Sequence, residues 1–244
     1  MLITKKSFTA FTRPKLSLKI DKHIISETNQ TKFLGVIIDN KLSWKQHISH
    51  ICGKVSKGIG IIIKTCKHLS KEALKSMYYS FIYPYLTYCN HIWGSASISI
   101  LNRLFILQKK AIRIICGAKR RDPTDPLFLR LKLLPLYDIN TFLIGQFMYR
   151  VFHKKVPCLF DNYFMLNCVY HSYETRQRYM YHLPTVRTEY AKNSIKYKGA
   201  SIWNNILKLG IDHFMTLPTF KYHLKKSIMD KKNCKNHWNL VIIA

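Results

Sequence analysis

The alternation of apolar and polar positions divides the chain into a short β segment followed by helices. Lys15 to Ile20 alternate with a period of two, and Phe33 to Ile38 form an apolar run, so both are predicted to be strands joined by residues 21–31. From Ser43, the predicted N-cap, apolar residues recur every three or four positions until about Cys66. This spacing predicts a first long helix.

Two more helices are predicted before residue 118. Ser70 caps the first of them, and Pro84 breaks or kinks it. The second runs from about Ser99 to Gly117, a residue suited to a C-terminal cap. Its apolar stripe is predicted to be buried, and the opposite face is basic, with Arg103, Lys109, Lys110 and Arg113.

A charged, proline-punctuated stretch over residues 119–126 predicts a loop and the best candidate boundary in the chain. Asp125 and Pro126 then suit the start of a helix. Further helices are predicted over Tyr137 to Phe152, Tyr197 to Leu209 and Phe220 to Met229.

The charge of the chain indicates its partner. Of 244 residues, 40 are Lys or Arg and 12 are Asp or Glu, which gives a net charge of +28. Such a surface attracts polyanions by steering and counterion release, so nucleic acid (RNA, RNA–DNA hybrid or DNA) is the expected partner, bound through its phosphates. We expect no membrane partner, because the longest apolar runs are far shorter than the roughly 20 residues needed to cross a bilayer. The sequence does not indicate an oligomeric state.

The cysteines and the N-terminal residues indicate an intracellular protein, nuclear or cytoplasmic rather than secreted. The seven cysteines are an odd number and are scattered, as is typical of reduced proteins. Residues 1–13 lack the sustained apolar segment of a secretory signal.

Five stretches of the sequence have the form of a recognisable motif. The first, Phe33 to Ile48, is similar to FLG-V-x-D-x-x-L-x-W-x-x-H-I. The others are Tyr85 to Gly94 (Y-L-x-Y-x-x-x-x-W-G), Leu104 to Ile115 (L-x-x-x-Q-x-x-A-x-R), His171 to Arg176 (H-x-Y-x-T-R), and Tyr197 to Asn204 (Y-x-G-A-x-x-W-N) followed by Phe220 to Lys225. Together, and in this order, they resemble the region that follows the polymerase palm in the reverse transcriptases of non-LTR (LINE-like and jockey-like) retrotransposons.

The resemblance implies a mainly α protein with a small N-terminal β-hairpin left from the palm. It divides the chain into a palm remnant at 1–42, a helical thumb at 43–118, a helical and irregular post-thumb region at 119–230 and a basic tail at 231–244. It also implies that the chain begins after the catalytic part of the polymerase.

We expect no catalytic residue in this chain. Two-metal polymerisation needs clustered carboxylates, which the family takes from a palm aspartate and an adjacent Asp pair. The sequence has no Asp-Asp dipeptide, and its nearest acids, Asp122 and Asp125, fall in the basic loop. No cofactor is expected either, because Mg²⁺ would serve only the intact polymerase.

No metal site is predicted, and the tryptophans are expected in the core. Neither the set His47, His50 and Cys52 nor the set Cys158, Cys168, His171 and His182 has the spacing of a zinc knuckle. Trp44, Trp93 and Trp203 each stand beside apolar periodic residues, which favours packing over base stacking.

The predicted helix from about Ser99 to Gly117 and the loop after it contain the candidate phosphate contacts. A second candidate patch lies further along the chain. These residues are Lys109, Lys110, Arg113, Lys119, Arg120 and Arg121, and then Arg176 and Arg178. An ordinary solvated helix face and charged loop would have the same composition.

The function predicted is that of a truncated retrotransposon RNA-directed DNA polymerase that binds nucleic acid without sequence preference and is inactive alone. Two alternatives stay open: a domesticated basic protein that binds RNA or another protein, and one part of a split gene product that acts only with the missing fingers and palm.

Overall fold

Short strands near the N-terminus precede a largely helical chain. The computed structural model describes residues 18–21, 23–25, 28–170, 176–212 and 214–241. Within them, β1 (Leu18–Ile20) pairs with β2 (His23–Ile25), and β3 (Gln30–Phe33) pairs with β4 (Val36–Asp39), both antiparallel. The prediction of a mainly α protein with a small β segment at its start is confirmed, although this segment contains two hairpins rather than one.

The predicted single strand over residues 33–38 is wrong, because a hairpin turn divides it. Leu34 and Gly35 have φ angles of 44° and 79°, and Phe33 pairs with Val36 across them. Two residues with positive φ make the tight turn whose twist suits antiparallel strands. Of the other predicted strand, residues 18–20 form β1, and residues 15–17 lie outside the described part of the chain.

The first long helix, α1 (Lys45–Thr65), is confirmed, but Ser43 does not cap it. Trp44 precedes the helix with a φ of 61°, and the carboxylate of Asp39 accepts the N–H groups of Ser43 and Trp44, each at 3.0 Å. Burial raises the pKa of Asp39, but these hydrogen bonds outweigh it and leave that pKa below its usual value. The end of β4 therefore fixes the direction in which α1 leaves the hairpin.

The next two predicted helices are confirmed as α2 (Lys71–Phe81) and α5 (Ile98–Cys116). Two short helices that were not predicted, α3 (Tyr83–Thr87) and α4 (Asn90–Trp93), lie between them. The Ser70 hydroxyl accepts the N–H of Ala73 at the start of α2, and Pro84 stands in the first turn of α3. Gly117 ends α5 with a φ of 66°, so the predicted left-handed cap is confirmed.

The second half of the chain alternates long helices with irregular segments. Its helices are α6 (Asp125–Leu131), α7 (Leu136–Phe152), α8 (Asn167–Tyr170), α9 (Glu189–Lys192), α10 (Ile195–Lys208) and α11 (Leu217–Val241), with a 3₁₀ turn at Cys158–Phe160. The three long helices predicted there correspond to α7, α10 and α11.

Two hydrophobic clusters share α7. The first runs from Val36 in β4 to Ile139 in α7, and the second runs from Ile144 in α7 to Leu224 in α11. Phe128 in α6 belongs to the first cluster, so residues on both sides of the 119–126 loop pack together. The division of the chain at residue 118 stays a prediction.

The indoles of Trp44, Trp93 and Trp203 are buried, which confirms their predicted place in the core. The six cysteines whose side chains the structure describes carry free thiols, and among them only that of Cys116 is buried. None of the helices in these residues has a stretch long and apolar enough to cross a membrane.

Candidate nucleic-acid interface

Helix α5 presents its basic residues on a rigid support. Leu101, Leu104, Ile112 and Ile115 are buried, as its apolar spacing predicts, and Lys110 on the other side is exposed. Because α5 packs closely on α1 through this stripe, the exposed side has a fixed orientation. Phosphate contacts that position a duplex need such a fixed array of charges.

The loop after α5 is folded around Asp122. Its carboxylate accepts the backbone N–H of Lys119 at 2.7 Å, and its carbonyl oxygen accepts Nε of Arg113 at 3.0 Å. Arg120 and Arg121 lie between these anchors and are exposed. The loop therefore holds two adjacent guanidinium groups at the C-terminal end of α5.

The six predicted contacts at α5 divide into exposed and tethered cations. The side chains of Lys110, Lys119, Arg120 and Arg121 are exposed. Lys109 is half-buried, with Nζ 4.2 Å from the centre of the Phe105 ring, and half-buried Arg113 holds the loop. Both tethered residues contribute to the fold as well as to the local positive charge.

The second predicted patch belongs to a different part of the molecule. Arg176 is exposed, and the guanidinium of Arg178 lies 5.1 Å from the centre of the Tyr179 ring. This segment is fixed to α10, because the side chain of Asn204 bonds both the N–H and the carbonyl of Tyr181, at 2.9 and 2.8 Å. Arg176 and Arg178 therefore lie in the part of the molecule that contains the second hydrophobic cluster, whereas the cations of α5 lie in the part that contains the first.

Three further lysines come together that the sequence pattern does not group. Lys75 of α2, Lys132 after α6 and Lys225 of α11 are near enough for their charges to interact. Burial lowers the pKa of Lys225, and the charges of Lys75 and Lys132 lower it further. These residues are at least 57 positions apart in the sequence, so only the tertiary fold brings them together.

Gln108, the glutamine of the L-x-x-x-Q-x-x-A-x-R motif in α5, has a structural role. Gln108 is completely buried; its Nε2 donates to the hydroxyl of Tyr78 at 2.9 Å and to the carbonyl of Leu134 at 3.0 Å. Its Oε1 accepts the N–H of Leu136 at 2.8 Å. One side chain therefore joins α2 and α5 to the start of α7.

A second buried link joins residues of two other resembling motifs. Asn140 Nδ2 donates to the Oδ1 of Asn90 at 2.9 Å and to its carbonyl at 3.2 Å. Lys198 Nζ donates to Asn140 Oδ1 at 2.6 Å. Asn90 and Lys198 belong to the Y-L-x-Y-x-x-x-x-W-G and Y-x-G-A-x-x-W-N stretches, which thus meet through α7.

No metal centre is formed by the side chains that the structure describes: they contain no group of three His, Cys, Asp or Glu residues that could hold an ion. His47 instead has a packing role, because its Nδ1 accepts the N–H of Ile37 at 3.3 Å and its ring lies edge-on to Trp93. Burial lowers the pKa of His47, and His50 lowers it further, which suits this neutral acceptor.

Comparison with known proteins identifies relatives for about half of the sequence. The chain is 30% identical over 138 residues, 55% of its length, to the RNA-directed DNA polymerase from mobile element jockey of Drosophila melanogaster. It is 29% identical over 115 residues to that of Drosophila funebris, and 28% identical over 135 residues to a probable RNA-directed DNA polymerase from transposon X-element of Drosophila melanogaster. About half of this chain is similar to jockey-like RNA-directed DNA polymerases. The resemblance noted from the motifs is therefore confirmed.

The similarity to the jockey-like polymerases covers a small part of those proteins. The matches span 15% of the length of the X-element polymerase and of the Drosophila melanogaster jockey polymerase, and 13% of the Drosophila funebris one. No protein-family model and no solved structure matches the sequence.

Proposed function

We propose that this chain corresponds to the thumb and post-thumb part of a retrotransposon reverse transcriptase and binds nucleic acid through phosphate contacts. The observation that carries the proposal is the array of exposed cations on α5 and its loop, held in place by Asp122. The net charge of +28 supports it, because each cation that contacts a phosphate releases condensed counterions. Contacts of this kind carry no base information, so RNA–DNA hybrid, duplex DNA and RNA should all bind.

Neutralising the exposed array tests the proposal. The variant K110Q/R120Q/R121Q should bind a fluorescein-labelled RNA–DNA hybrid at least about tenfold more weakly at roughly 100 mM salt, because three phosphate contacts are lost. Fluorescence anisotropy measures the dissociation constant, and the dependence of log Kd on log salt should become shallower by about 2 to 3.

The matched control removes the same charge elsewhere. Lys155, Arg187 and Lys208 are exposed residues of the second half of the chain, and K155Q/R187Q/K208Q also lowers the net charge by three. Its affinity should stay within about threefold of the wild type, as expected for changes in long-range attraction alone. Equal weakening by both variants would contradict an interface at α5.

We also propose that this chain does not polymerise DNA by itself. The sequence contains no adjacent Asp pair, the feature that supplies metal ligands in polymerases of this family. Purified protein given a primer–template, nucleotides and Mg²⁺ should extend no primer, while an active reverse transcriptase does so in parallel. Primer extension that disappears in D122N or D125N would refute this proposal.

A further inference from the structure

A cavity between α4, α5, α7 and α10 has a lysine at its wall. Its volume is about 200 Å³, room for several water molecules. The lining residues are Asn90, Gly94, Leu101, Leu136, Tyr137, Asn140, Thr141 and Lys198. It is separate from the α5 cations described above, none of which lines it.

The ammonium group of Lys198 is held at this wall by an amide rather than by a carboxylate. Its Nζ donates a hydrogen bond to Asn140 Oδ1, and Asn140 is held in turn by its hydrogen bond to Asn90. An ammonium has three N–H donors, so two remain for another acceptor. Burial lowers the pKa of Lys198, which means that its positive charge is poorly solvated there. A bound anion would compensate for that loss of solvation.

Neighbouring side chains suit the same kind of guest. The hydroxyl of Thr141 makes only a long hydrogen bond, 3.4 Å, to the carbonyl of Tyr137. Tyr137 also lines the cavity, and its phenol carries a proton that it can donate. Hydroxyl and ammonium donors around a cavity match the acceptor oxygens of a phosphate group.

We propose that this cavity is a binding site for a phosphate-class oxyanion, with Lys198 as its principal contact and Thr141 as a second donor. The guest is a tetrahedral anion carrying at least one negative charge, either free or as part of a larger phosphorylated molecule. The amide chain from Asn90 through Asn140 positions Lys198, so these two amides should sense the guest directly.

Two-dimensional ¹H–¹⁵N NMR of the full chain tests this site without any nucleic acid. Titration with inorganic phosphate at constant ionic strength, set with chloride, should move the side-chain amide signals of Asn90 and Asn140 along a saturating curve. K198M, which keeps most of the side-chain volume, should abolish the saturable shift, and T141V should weaken it several-fold. K196M removes an exposed lysine two residues away and should leave the curve unchanged.

The T141V variant keeps the test decisive if K198M disturbs folding, because T141V preserves the Lys198–Asn140 link. Several-fold weaker saturation in T141V, or loss of saturation in folded K198M, with the wild-type curve retained in K196M, supports the site. Absence of saturable shifts in the wild type, or an unchanged curve in T141V or in folded K198M, would overturn it. A 5′-phosphorylated oligonucleotide, compared with its unphosphorylated form, distinguishes a terminal phosphate from a free one. The variant K110Q/R120Q/R121Q should keep the phosphate response, so this inference and the proposed α5 interface can fail separately.

Discussion

The Gln108→Leu variant should have a free energy of unfolding about 4 kcal/mol below that of the wild type. Leucine nearly preserves the volume but cannot bond the hydroxyl of Tyr78, the carbonyl of Leu134 or the N–H of Leu136. Gln108 is fully buried, so water cannot replace these bonds, and each stranded polar group costs about 1 to 3 kcal/mol. Denaturation by urea, followed by circular dichroism, measures the loss.

Gln146→Leu provides the matched control for this substitution. Gln146 is half-buried on α7, and its Nε2 lies 3.4 Å from the carbonyl of Phe142, a long hydrogen bond within one helix. Its replacement should change the free energy of unfolding by no more than about 1 kcal/mol. If Q108L and Q146L were equally stable, the role of Gln108 as the link between α2, α5 and α7 would be wrong.

The second large effect is expected at Gly94, which follows α4. A Cβ added there would lie 2.4 Å from Nδ2 of Asn140 and 2.4 Å from the carbonyl oxygen of Asn90. Neither atom can move without disturbing the hydrogen bonds between Asn90 and Asn140, which hold Asn140 in place for Lys198. The Gly94→Ala variant should therefore lose about 3 kcal/mol of stability through overpacking.

Gly60→Ala is the control for adding the same methyl group. Gly60 lies inside α1, and nothing is within 4 Å of the position of its added Cβ. Alanine also restricts the unfolded chain, so G60A should unfold at a higher urea concentration than the wild type, with a gain of about 0.5 to 1 kcal/mol. Comparable losses in G94A and G60A would show that Gly94 is not confined by Asn90 and Asn140.

Local signals in the sequence were sufficient for most helices but not for the entry into the first one. Ser70 and Gly117 act within one turn of the residues they cap, so their roles could be predicted from the sequence. Leu34 adopts a positive φ, which is rare for leucine and could not be predicted from the sequence. The turn that it forms divides the predicted strand. The hydrogen bonds from the N–H groups of Ser43 and Trp44 to Asp39, just before α1, likewise depend on how β4 meets the helix.

The spacing of charged residues along a helix predicts which of its cations are exposed, but not which of them bond to other parts of the chain. The exposure of Lys110 follows from its place opposite the buried stripe of α5. That Arg113 bonds the loop could not be predicted, because the bond depends on the path of residues 119–122. Nothing in the sequence distinguishes Lys198 from the other lysines, because its place beside Asn140 depends on the packing of α10 against α7.

The most direct test of nucleic-acid binding by this chain is a salt series with an RNA–DNA hybrid, duplex DNA and single-stranded RNA. We expect binding to all three, with the dissociation constant for the hybrid rising about a hundredfold between roughly 50 and 200 mM salt, as about four phosphate contacts would produce. Binding that is absent at low salt, or unchanged across the series, would contradict the proposal that the exposed cations of α5 and its loop contact phosphates.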